Sequence, residues 1–388
     1  MDSMELGQML CPVSIEEFID ARFGKAPLHV SRAGEADYYA SLFSLDAVDE
    51  FLNIVKPPYT KAFAIDSRRK IEVAEYSAPD GLADPLRLFE LYHGGATIVL
   101  KEIEGHIPSL HNLCRSAEKR FNFPFVATVF LAPPQGQAFP IHFDAKDIFV
   151  TQIFGSKIWR MYAPQYELPL SHQHCYDGMA ERDFIEEINL QAGDFLYFPR
   201  GFPHVVRATE QPSLHISFST FPLTWADLMK RTLADYCERD PLFRRSLPPG
   251  FVESDAGLQE DFATLIARFA ANAELRSALE AARREFVASR PPPSKTPSRR
   301  LRQLASLSLE SQVEPQPDVV RLIRTEENVL RLMGLGKEVA FDLGVLETLT
   351  FALQTARYRI GDAPGALAPE QKIEMFQTLV AHGFVVPA

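Results

Sequence analysis

Residues 193–204 read GDFLYFPRGFPH, a compact run whose pattern of glycine, proline and apolar residues ends in a histidine. Gly193 predicts a turn, residues 194–198 predict a short strand, and the proline and glycine residues that follow predict a second turn. His204 comes directly after that turn, so its side chain is expected to emerge from β structure.

A two-residue alternation extends outward from this stretch over residues 125–220. Glycine and proline separate the segments, and short strands at this spacing predict an antiparallel barrel or sandwich. Phe154-Gly155-Ser156 predicts a hairpin turn between two of the strands. The predicted strands cover residues 126–132, 148–153, 157–162, 184–190, 194–198 and 214–220.

Helical patterns flank this β-rich region. Ser14, with Glu17 three residues later, predicts a capping box in front of an amphipathic helix, and Ser44 predicts the cap of a second helix. Residues 225–238 and 259–288 return to helical spacing.

A proline-rich stretch at 290–300 predicts a linker before the last part of the chain. Residues from about 315 to 388 are predicted to be helical with short breaks. Pro369 opens the last helix, Gly383 closes it, and a short apolar strand follows. A terminal helix followed by a strand is typical of a winged-helix module. Because this region is not basic, we expect a structural or protein-binding role for it.

Composition excludes several classes of protein. The 388 residues are 46% hydrophobic and 23% charged, which is ordinary for a globular protein and excludes wholesale disorder. The net charge of -11 argues against general nucleic-acid binding, which needs clustered positive charge. No apolar run is long enough to span a bilayer, and the first residues do not resemble a secretory signal. Four scattered cysteines form no disulfide scaffold, so a cytoplasmic location is expected.

The densest chemical signal is Ile141-His142-Phe143-Asp144, which is complemented by His204 farther along the chain. If residues 141–144 form a strand, His142 and Asp144 leave the same face. Two imidazoles and one carboxylate on one side of a metal are the facial triad of non-haem Fe(II) oxygenases. The alternative is that both histidines are ordinary hydrogen-bonded polar groups.

Lys157 follows the predicted turn and shares a predicted strand face with Trp159 and Met161. A buried ammonium group needs a partner, so Lys157 is a candidate anchor for an acidic cosubstrate. The alternative is an exposed face on which Lys157 is one surface charge among many.

The strand predicted at 214–220 also has two unlike faces. His215, Ser217 and Ser219 form a polar face, which suits either a barrel interior that holds a polar ligand or contact with solvent.

A zinc site is a further hypothesis for His172, His174 and Cys175, which lie within a short loop between predicted strands. A fourth ligand at zinc spacing is missing, so a loop that covers an active site is the preferred interpretation.

The motifs HFD at 142–144, GSKIW at 155–159 and GDFLYFPRGFPH at 193–204 resemble those of the JmjC-type ribosomal oxygenases. Segments 24–28 and 38–45 resemble the region that precedes the catalytic domain of that family. The resemblance implies an α+β chain built on a double-stranded β-helix (cupin) barrel with a mixed α/β extension at the N-terminus. The implied parts are a catalytic domain at 1–240 with its barrel core at about 125–220, a helical dimerisation region with the proline-rich linker at 241–310, and a winged-helix-like domain at 311–388.

By position, the resemblance implies that His142, Asp144 and His204 bind Fe(II). It implies that Lys157 binds the distal carboxylate of 2-oxoglutarate, with O2 as the other cosubstrate.

Thr128 and Ser217 match positions that line the cosubstrate pocket in such proteins. Phe130 departs from the pattern, because relatives can carry a tyrosine there. The missing hydroxyl removes one hydrogen-bond donor from the pocket.

The activity implied is hydroxylation of a side chain of a protein or peptide, with ribosomal proteins as the family's known substrates. N-methyl demethylation is an alternative, although many demethylases carry Glu at the position of Asp144. A metal-binding cupin without oxygenase activity and a scaffold acting through the C-terminal module also remain open. The resemblance implies a homodimer, and binding to membranes or directly to nucleic acid is not expected.

Overall fold

The described part of the chain combines short antiparallel strands with helices. A computed structural model describes residues 4–176, 178–292, 303–326 and 328–388. These residues form two compact units that divide between Pro222 and Leu223. The linker predicted at 290–300 lies almost entirely outside the described residues.

Antiparallel strands form the centre of the first unit. They are β1 (Leu28–Val30), β2 (Ala62–Ile65), β3 (Thr97–Lys101), β4 (Phe125–Ala132), β5 (Asp147–Phe154), β6 (Ser156–Tyr162), β7 (Phe184–Gln191), β8 (Phe195–Phe198), β9 (His204–Ala208) and β10 (Ser213–Thr220). A larger sheet has the order β1-β8-β5-β10-β4-β3-β2, and a smaller sheet has the order β7-β6-β9. The strands predicted between residues 125 and 220 are confirmed to within one residue at each end.

The predicted hairpin at Phe154-Gly155-Ser156 is wrong in its pairing. β5 pairs with β8 and β10, whereas β6 pairs with β7 and β9. Gly155 therefore carries the chain from one sheet to the other. Its φ is 63°, and a Cβ there would lie 2.0 Å from the carbonyl oxygen of Pro212, so this crossover requires glycine.

The helices of the first unit cover the larger sheet. They are α1 (Leu6–Leu10), α2 (Ile15–Ala21), α3 (Leu45–Glu50), α4 (Pro85–His93) and α5 (Pro108–Phe121). The predicted caps are confirmed, because Ser14 accepts a hydrogen bond from the backbone of Glu17 and Ser44 accepts one from the backbone of Ala47. Of the predicted capping box at α2, the bond accepted by Ser14 is present.

Strand β8 consists of large apolar and aromatic residues, and both of its faces are buried. Phe195 and Tyr197 belong to the core that includes α2, where the rings of Phe18 and Tyr197 meet edge-to-face at 4.7 Å between centroids. Leu196 and Phe198 belong to a second core formed with the smaller sheet. The strand thus separates a helix-covered core from the space between the two sheets.

The second unit combines helices with small antiparallel sheets. Its helices are α6 (Trp225–Arg239), α7 (Leu258–Asn272), α8 (Leu275–Ala288), α9 (Leu346–Gln354) and α10 (Pro369–His382). Its strands are β11 (Gln312–Pro315), β12 (Leu322–Glu326), β13 (Val329–Gly334), β14 (Lys337–Asp342), β15 (Tyr358–Arg359) and β16 (Val385–Pro387).

The prediction that residues 315–388 are mainly helical is wrong for residues 322–342. β12, β13 and β14 form an antiparallel meander there, in which Leu330 and Leu332 are fully buried. The predicted terminal helix and strand are confirmed, with Gly383 in the left-handed conformation that ends α10.

No helix among the described residues combines the length and the apolar character needed to cross a membrane.

Candidate metal centre and cosubstrate pocket

A cavity of about 340 Å³ lies between the two sheets of the first unit. The larger sheet contributes Thr128, Phe130, Phe198, His215 and Ser217 to its lining. The smaller sheet contributes Lys157, Trp159 and His204, and the segment before β5 contributes His142 and Asp144. All six residues predicted for the site therefore line one cavity, which contradicts the interpretation of these polar faces as surfaces in contact with solvent.

His142 and His204 are brought together by backbone pairing. Each donates its backbone N–H to the carbonyl of the other, at 3.1 and 2.8 Å. This is an isolated bridge, and residues 141–144 do not form a regular strand. The Gly201 N–H donates to the Asp144 carbonyl at 2.9 Å, which fixes the second end of the HFD segment.

The side chains of His142, Asp144 and His204 converge on one point. Their ligand atoms all lie within 4.8 Å of one another, and this is the only such group among the described residues. The Nε2 atom of His204 lies 3.9 Å from Oδ2 of Asp144. Spacing of this kind allows all three side chains to hold one metal ion.

Both imidazoles are oriented by the same local contact. Nδ1 of His142 lies 2.9 Å from the carbonyl oxygen of Pro140, and Nδ1 of His204 lies 3.0 Å from that of Phe202. A carbonyl only accepts, so Nδ1 carries the proton in each ring. In the neutral form of each ring, Nε2 then carries no proton and is available as a metal ligand.

The charges of the group suit a divalent cation. Burial lowers the pKa of His204 to about 4, so this imidazole is neutral at pH 7. Burial alone would raise the pKa of Asp144, but His204, His142 and the hydroxyl of Tyr176 together hold it below the usual value. At neutral pH the site therefore offers the carboxylate of Asp144 and the neutral imidazole of His204 to a metal ion.

Lys157 points into the same cavity and is only 4% exposed. It has no hydrogen bond or ion pair within the described part of the chain, and its Nζ lies 5.9 Å from the ring centre of Phe130. Burial lowers the pKa of Lys157 to about 7. An unpaired buried ammonium of this kind needs an anionic partner.

Thr128 and Ser217 are direct register partners on β4 and β10, and both line the cavity. The neighbouring pair on these strands is Phe130 and His215, whose rings stack at 4.8 Å with 7° between their planes. Burial, reinforced by the charge of Lys157, holds the pKa of His215 well below its ordinary value, so this residue is neutral. The phenylalanine that departs from the family pattern thus packs against a polar cavity residue.

Tyr176 belongs to the site but was not predicted from the sequence. It lines the cavity, and its hydroxyl donates a 2.6 Å hydrogen bond to Oδ1 of Asp144. Its position depends on pairing of Phe143 with Cys175, a contact between distant segments that leaves no local pattern in the sequence.

The zinc hypothesis for His172, His174 and Cys175 is wrong for the described residues, because these side chains form no group of three metal-binding residues. The segment pairs with the HFD motif, because Phe143 and Cys175 each donate a backbone N–H to the carbonyl of the other.

A model of the JmjC domain matches residues 106–228. These residues contain all of the cavity-lining positions discussed above.

Curated relatives are named as NO66 proteins or as ribosomal oxygenases. A bifunctional lysine-specific demethylase and histidyl-hydroxylase NO66 from Culex quinquefasciatus is 30% identical over 278 residues, which is 66% of this chain and 42% of the relative. Ribosomal oxygenase 1 from Danio rerio is 30% identical over 256 residues, which is 63% of this chain and 46% of the relative. The chain thus spans about half the length of the relatives it matches or slightly less.

Solved structures support the fold over a longer range. The Escherichia coli ribosomal oxygenase YcfD matches with a TM-score of 0.56 and 14% identity, covering 100% of both chains. A structure of YcfD in complex with cobalt and 2-oxoglutarate matches with a TM-score of 0.53 and 15% identity, covering 97% of this chain and 98% of the other. The resemblance in the sequence motifs is confirmed: residues 106–228 match the JmjC domain, the chain shares the fold of a solved ribosomal oxygenase, and NO66 and ribosomal oxygenase proteins are among its relatives.

Proposed function

We propose that this chain is an Fe(II)- and 2-oxoglutarate-dependent dioxygenase that hydroxylates a side chain of a protein or peptide. The proposal rests above all on His142, Asp144 and His204, whose ligand atoms lie within 4.8 Å of one another in a cavity that also contains the buried Lys157. The hydroxylase names of its homologues and the cobalt and 2-oxoglutarate complex of YcfD support it.

The three proposed ligands fit Fe(II) in their chemistry. Two Nε2 atoms and one carboxylate are the donor set of the facial triad, and a triad leaves coordination positions open for a two-oxygen ligand and for O2. When bound, Fe(II) with 2-oxoglutarate and O2 supplies the oxidising power that converts an unactivated C–H bond to C–OH, with succinate and carbon dioxide as products. The chain holds the ligands in place and keeps water away from the reacting carbon.

Lys157 is the proposed anchor for the distal carboxylate of 2-oxoglutarate. A carboxylate that enters the cavity would give this buried ammonium the partner that it lacks among the described residues. Thr128 and Ser217 are proposed to add hydroxyl contacts, since they form adjacent cavity positions on paired strands. Neutral His215 adds a further polar side chain to the cavity, next to its register partner Phe130.

A ribosomal protein is the substrate we propose, because homologues of this chain carry the name ribosomal oxygenase. Hydroxylation is preferred to demethylation because the carboxylate ligand is Asp144 and not Glu. The mass of the product distinguishes the two reactions, since hydroxylation adds one oxygen and demethylation removes a methyl group.

A homodimer is proposed, supported by exposed apolar side chains in the second unit. Trp225, Met229 and Leu233 recur every four residues on α6 and are 73%, 58% and 40% exposed. Phe262 and Ile266 are similarly exposed on α7, a helix in which no residue is fully buried. A second copy of the chain would remove such apolar surface from water.

The remaining architectural assignments are also proposals. We assign residues 1–240 to the catalytic domain, 241–310 to the dimerisation region with its linker and 311–388 to a winged-helix-like domain. The last assignment is supported by the short sheets and helices of that part, including α10 and β16. A cytoplasmic location is supported by Cys11, Cys114, Cys175 and Cys237, all of which carry free thiols.

The proposed function is tested by succinate formation in the presence of Fe(II), 2-oxoglutarate, O2 and ribosomal protein from cells that lack this chain. The wild-type protein is expected to form succinate and to add one oxygen to a single protein, detected by mass spectrometry. The His142→Ala/Asp144→Ala double variant is expected to be inactive. Full turnover by the double variant would refute the assignment.

A further inference from the structure

Tyr176 is joined to two of the three proposed iron ligands. Its hydroxyl donates a 2.6 Å hydrogen bond to Oδ1 of Asp144, and its ring lies 5.5 Å from that of His142 between centroids. The backbone beside it is held in place, because the Phe143 N–H donates to the Cys175 carbonyl at 3.2 Å. Backbone pairing of Cys175 with the HFD segment therefore places Tyr176 beside Asp144.

The two oxygens of Asp144 have different surroundings. Oδ1 accepts the hydrogen bond from Tyr176, whereas Oδ2 lies 3.9 Å from Nε2 of His204. Oδ2 is thus the oxygen on the side of the His204 ligand atom. A carboxylate can bind a metal through one oxygen or both, and an occupied Oδ1 favours binding through Oδ2 alone.

We propose that Tyr176 is a positioning residue that holds Asp144 for one-oxygen binding to the metal. This inference rests on the proposed function, because it concerns the same metal site. Binding through one oxygen leaves the open coordination positions free for the cosubstrates, whereas a two-oxygen carboxylate would occupy one of them. The hydrogen bond also restricts rotation of the Asp144 side chain before the metal arrives.

Phe139 provides a matched control for the ring of Tyr176. The Phe139 ring lies 4.9 Å from that of His142 and 5.8 Å from that of Tyr176, so both aromatic residues pack in one cluster beside the site. Phe139 has no hydroxyl and cannot donate to Asp144. Comparing Tyr176→Phe with Phe139→Leu therefore separates the hydrogen bond from the packing.

The test is titration of the metal-free full chain with Mn(II), followed by electron paramagnetic resonance. Tyr176→Phe is expected to weaken Mn(II) binding by about 10- to 100-fold, the usual effect of removing a partner of a metal ligand. Phe139→Leu is expected to change it by less than about threefold, because it removes no partner of a ligand. Equal affinity in Tyr176→Phe and wild type would overturn the proposal, as would an equally large loss in Phe139→Leu.

Visible absorption of Co(II) gives a second readout that a purely structural role would not move. The bands are expected to change in Tyr176→Phe and to stay unchanged in Phe139→Leu, while both metal-free variants unfold cooperatively. If Tyr176→Phe does not fold, Tyr176→Met takes its place with the same expectations. A wild-type chain that binds neither Mn(II) nor Co(II) would contradict the proposed function itself, whereas unchanged binding in the tyrosine variants contradicts only this inference.

Discussion

Lys157 combines near-complete burial with the lack of an ion-pair partner in the described part of the chain. Such a charge is unfavourable in the folded protein, because desolvation of an ammonium is not offset by a neighbouring anion. The cavity keeps this group where a ligand carboxylate would neutralise it. Lys157 is therefore expected to favour binding of the ligand carboxylate and to lower the stability of the ligand-free protein.

Lys157→Met should stabilise the metal-free protein while it abolishes 2-oxoglutarate binding. We expect the free energy of unfolding to rise by about 2 kcal/mol at pH 6, since methionine fills the space without a charge. The pKa of Lys157 falls from 10.5 in the unfolded chain to about 7 in the folded one. Burial of the Lys157 charge therefore destabilises the wild-type protein fully below pH 7, and this destabilisation decreases as the pH rises toward 10. The stabilisation by Lys157→Met should decrease over the same pH range. Denaturant unfolding at pH 6 and pH 9 checks this, and an equal gain at both values would contradict it.

The affinity of the wild-type site for 2-oxoglutarate should fall as the pH rises above 7. The free Lys157 has a pKa of about 7, and only its protonated form pairs with a carboxylate. Binding above this pH then takes up one proton, so Kd should increase about tenfold for each pH unit. Calorimetry with Mn(II)-loaded protein between pH 7 and 8.5 measures the slope. A constant Kd over this range would exclude Lys157 as the anchor.

The separate site residues differ in how far the sequence predicts them. His142 and Asp144 are two residues apart, so the sequence alone predicts that they lie close together. The PRGFPH turn indicates His204 as the third ligand. Tyr176 depends on a hydrogen bond to Asp144 across 32 positions of the chain, and a single tyrosine in a polar loop gives no periodic signal. The burial of Lys157 likewise depends on which sheet β6 joins.

The crossover between β5 and β6 determines how the two sheets enclose the cavity. A hairpin would have kept β6 in the larger sheet, whereas the turn at Gly155 sends it to the smaller one. Lys157 and Trp159 thereby face the strands that carry Thr128 and Ser217 across the cavity. The geometry of the pocket therefore depends on this single turn.

Gly155→Ala should destabilise the first unit by about 3 kcal/mol, from the left-handed backbone together with overpacking. The clash arises because the new Cβ would lie 2.0 Å from the carbonyl oxygen of Pro212. Gly34→Ala is the control, since Gly34 has φ of 90° but nothing within 4 Å of its added Cβ. Thermal unfolding should show a much smaller loss in the control. Equal losses would mean that the close approach at Gly155 is unimportant.

The strands between residues 125 and 220 could be predicted and the meander at residues 322–342 could not, for a physical reason. Between residues 125 and 220, glycine and proline mark the ends of segments that are too short for typical helices and rich in β-branched and aromatic residues. Residues 322–342 lack a proline, and their apolar residues fit a helical period as well as a strand period. These residues form strands because β13 pairs with both β12 and β14, and apolar periodicity does not predict this pairing.

The assembly of the protein is tested by charge introduced into the exposed stripe of α6. Trp225→Glu/Met229→Glu is expected to convert a dimer to a monomer in light scattering after size-exclusion chromatography, because it places two carboxylates in a buried apolar contact. Leu86→Glu is the control, since Leu86 is 77% exposed on α4 in the first unit. A wild-type monomer, or a double variant that remains a dimer, would contradict the homodimer.

The proposed chemistry of this chain depends on the convergence of His142, Asp144 and His204 on one ion. A crystal structure grown with Mn(II) and 2-oxoglutarate tests it most directly, because anomalous scattering locates the metal without assumptions about the fold. One strong anomalous peak is expected, from a metal bonded to both Nε2 atoms and to Oδ2 of Asp144, with the distal carboxylate of 2-oxoglutarate at Lys157. A peak elsewhere, or full metal occupancy without one of these three side chains as a ligand, would contradict it.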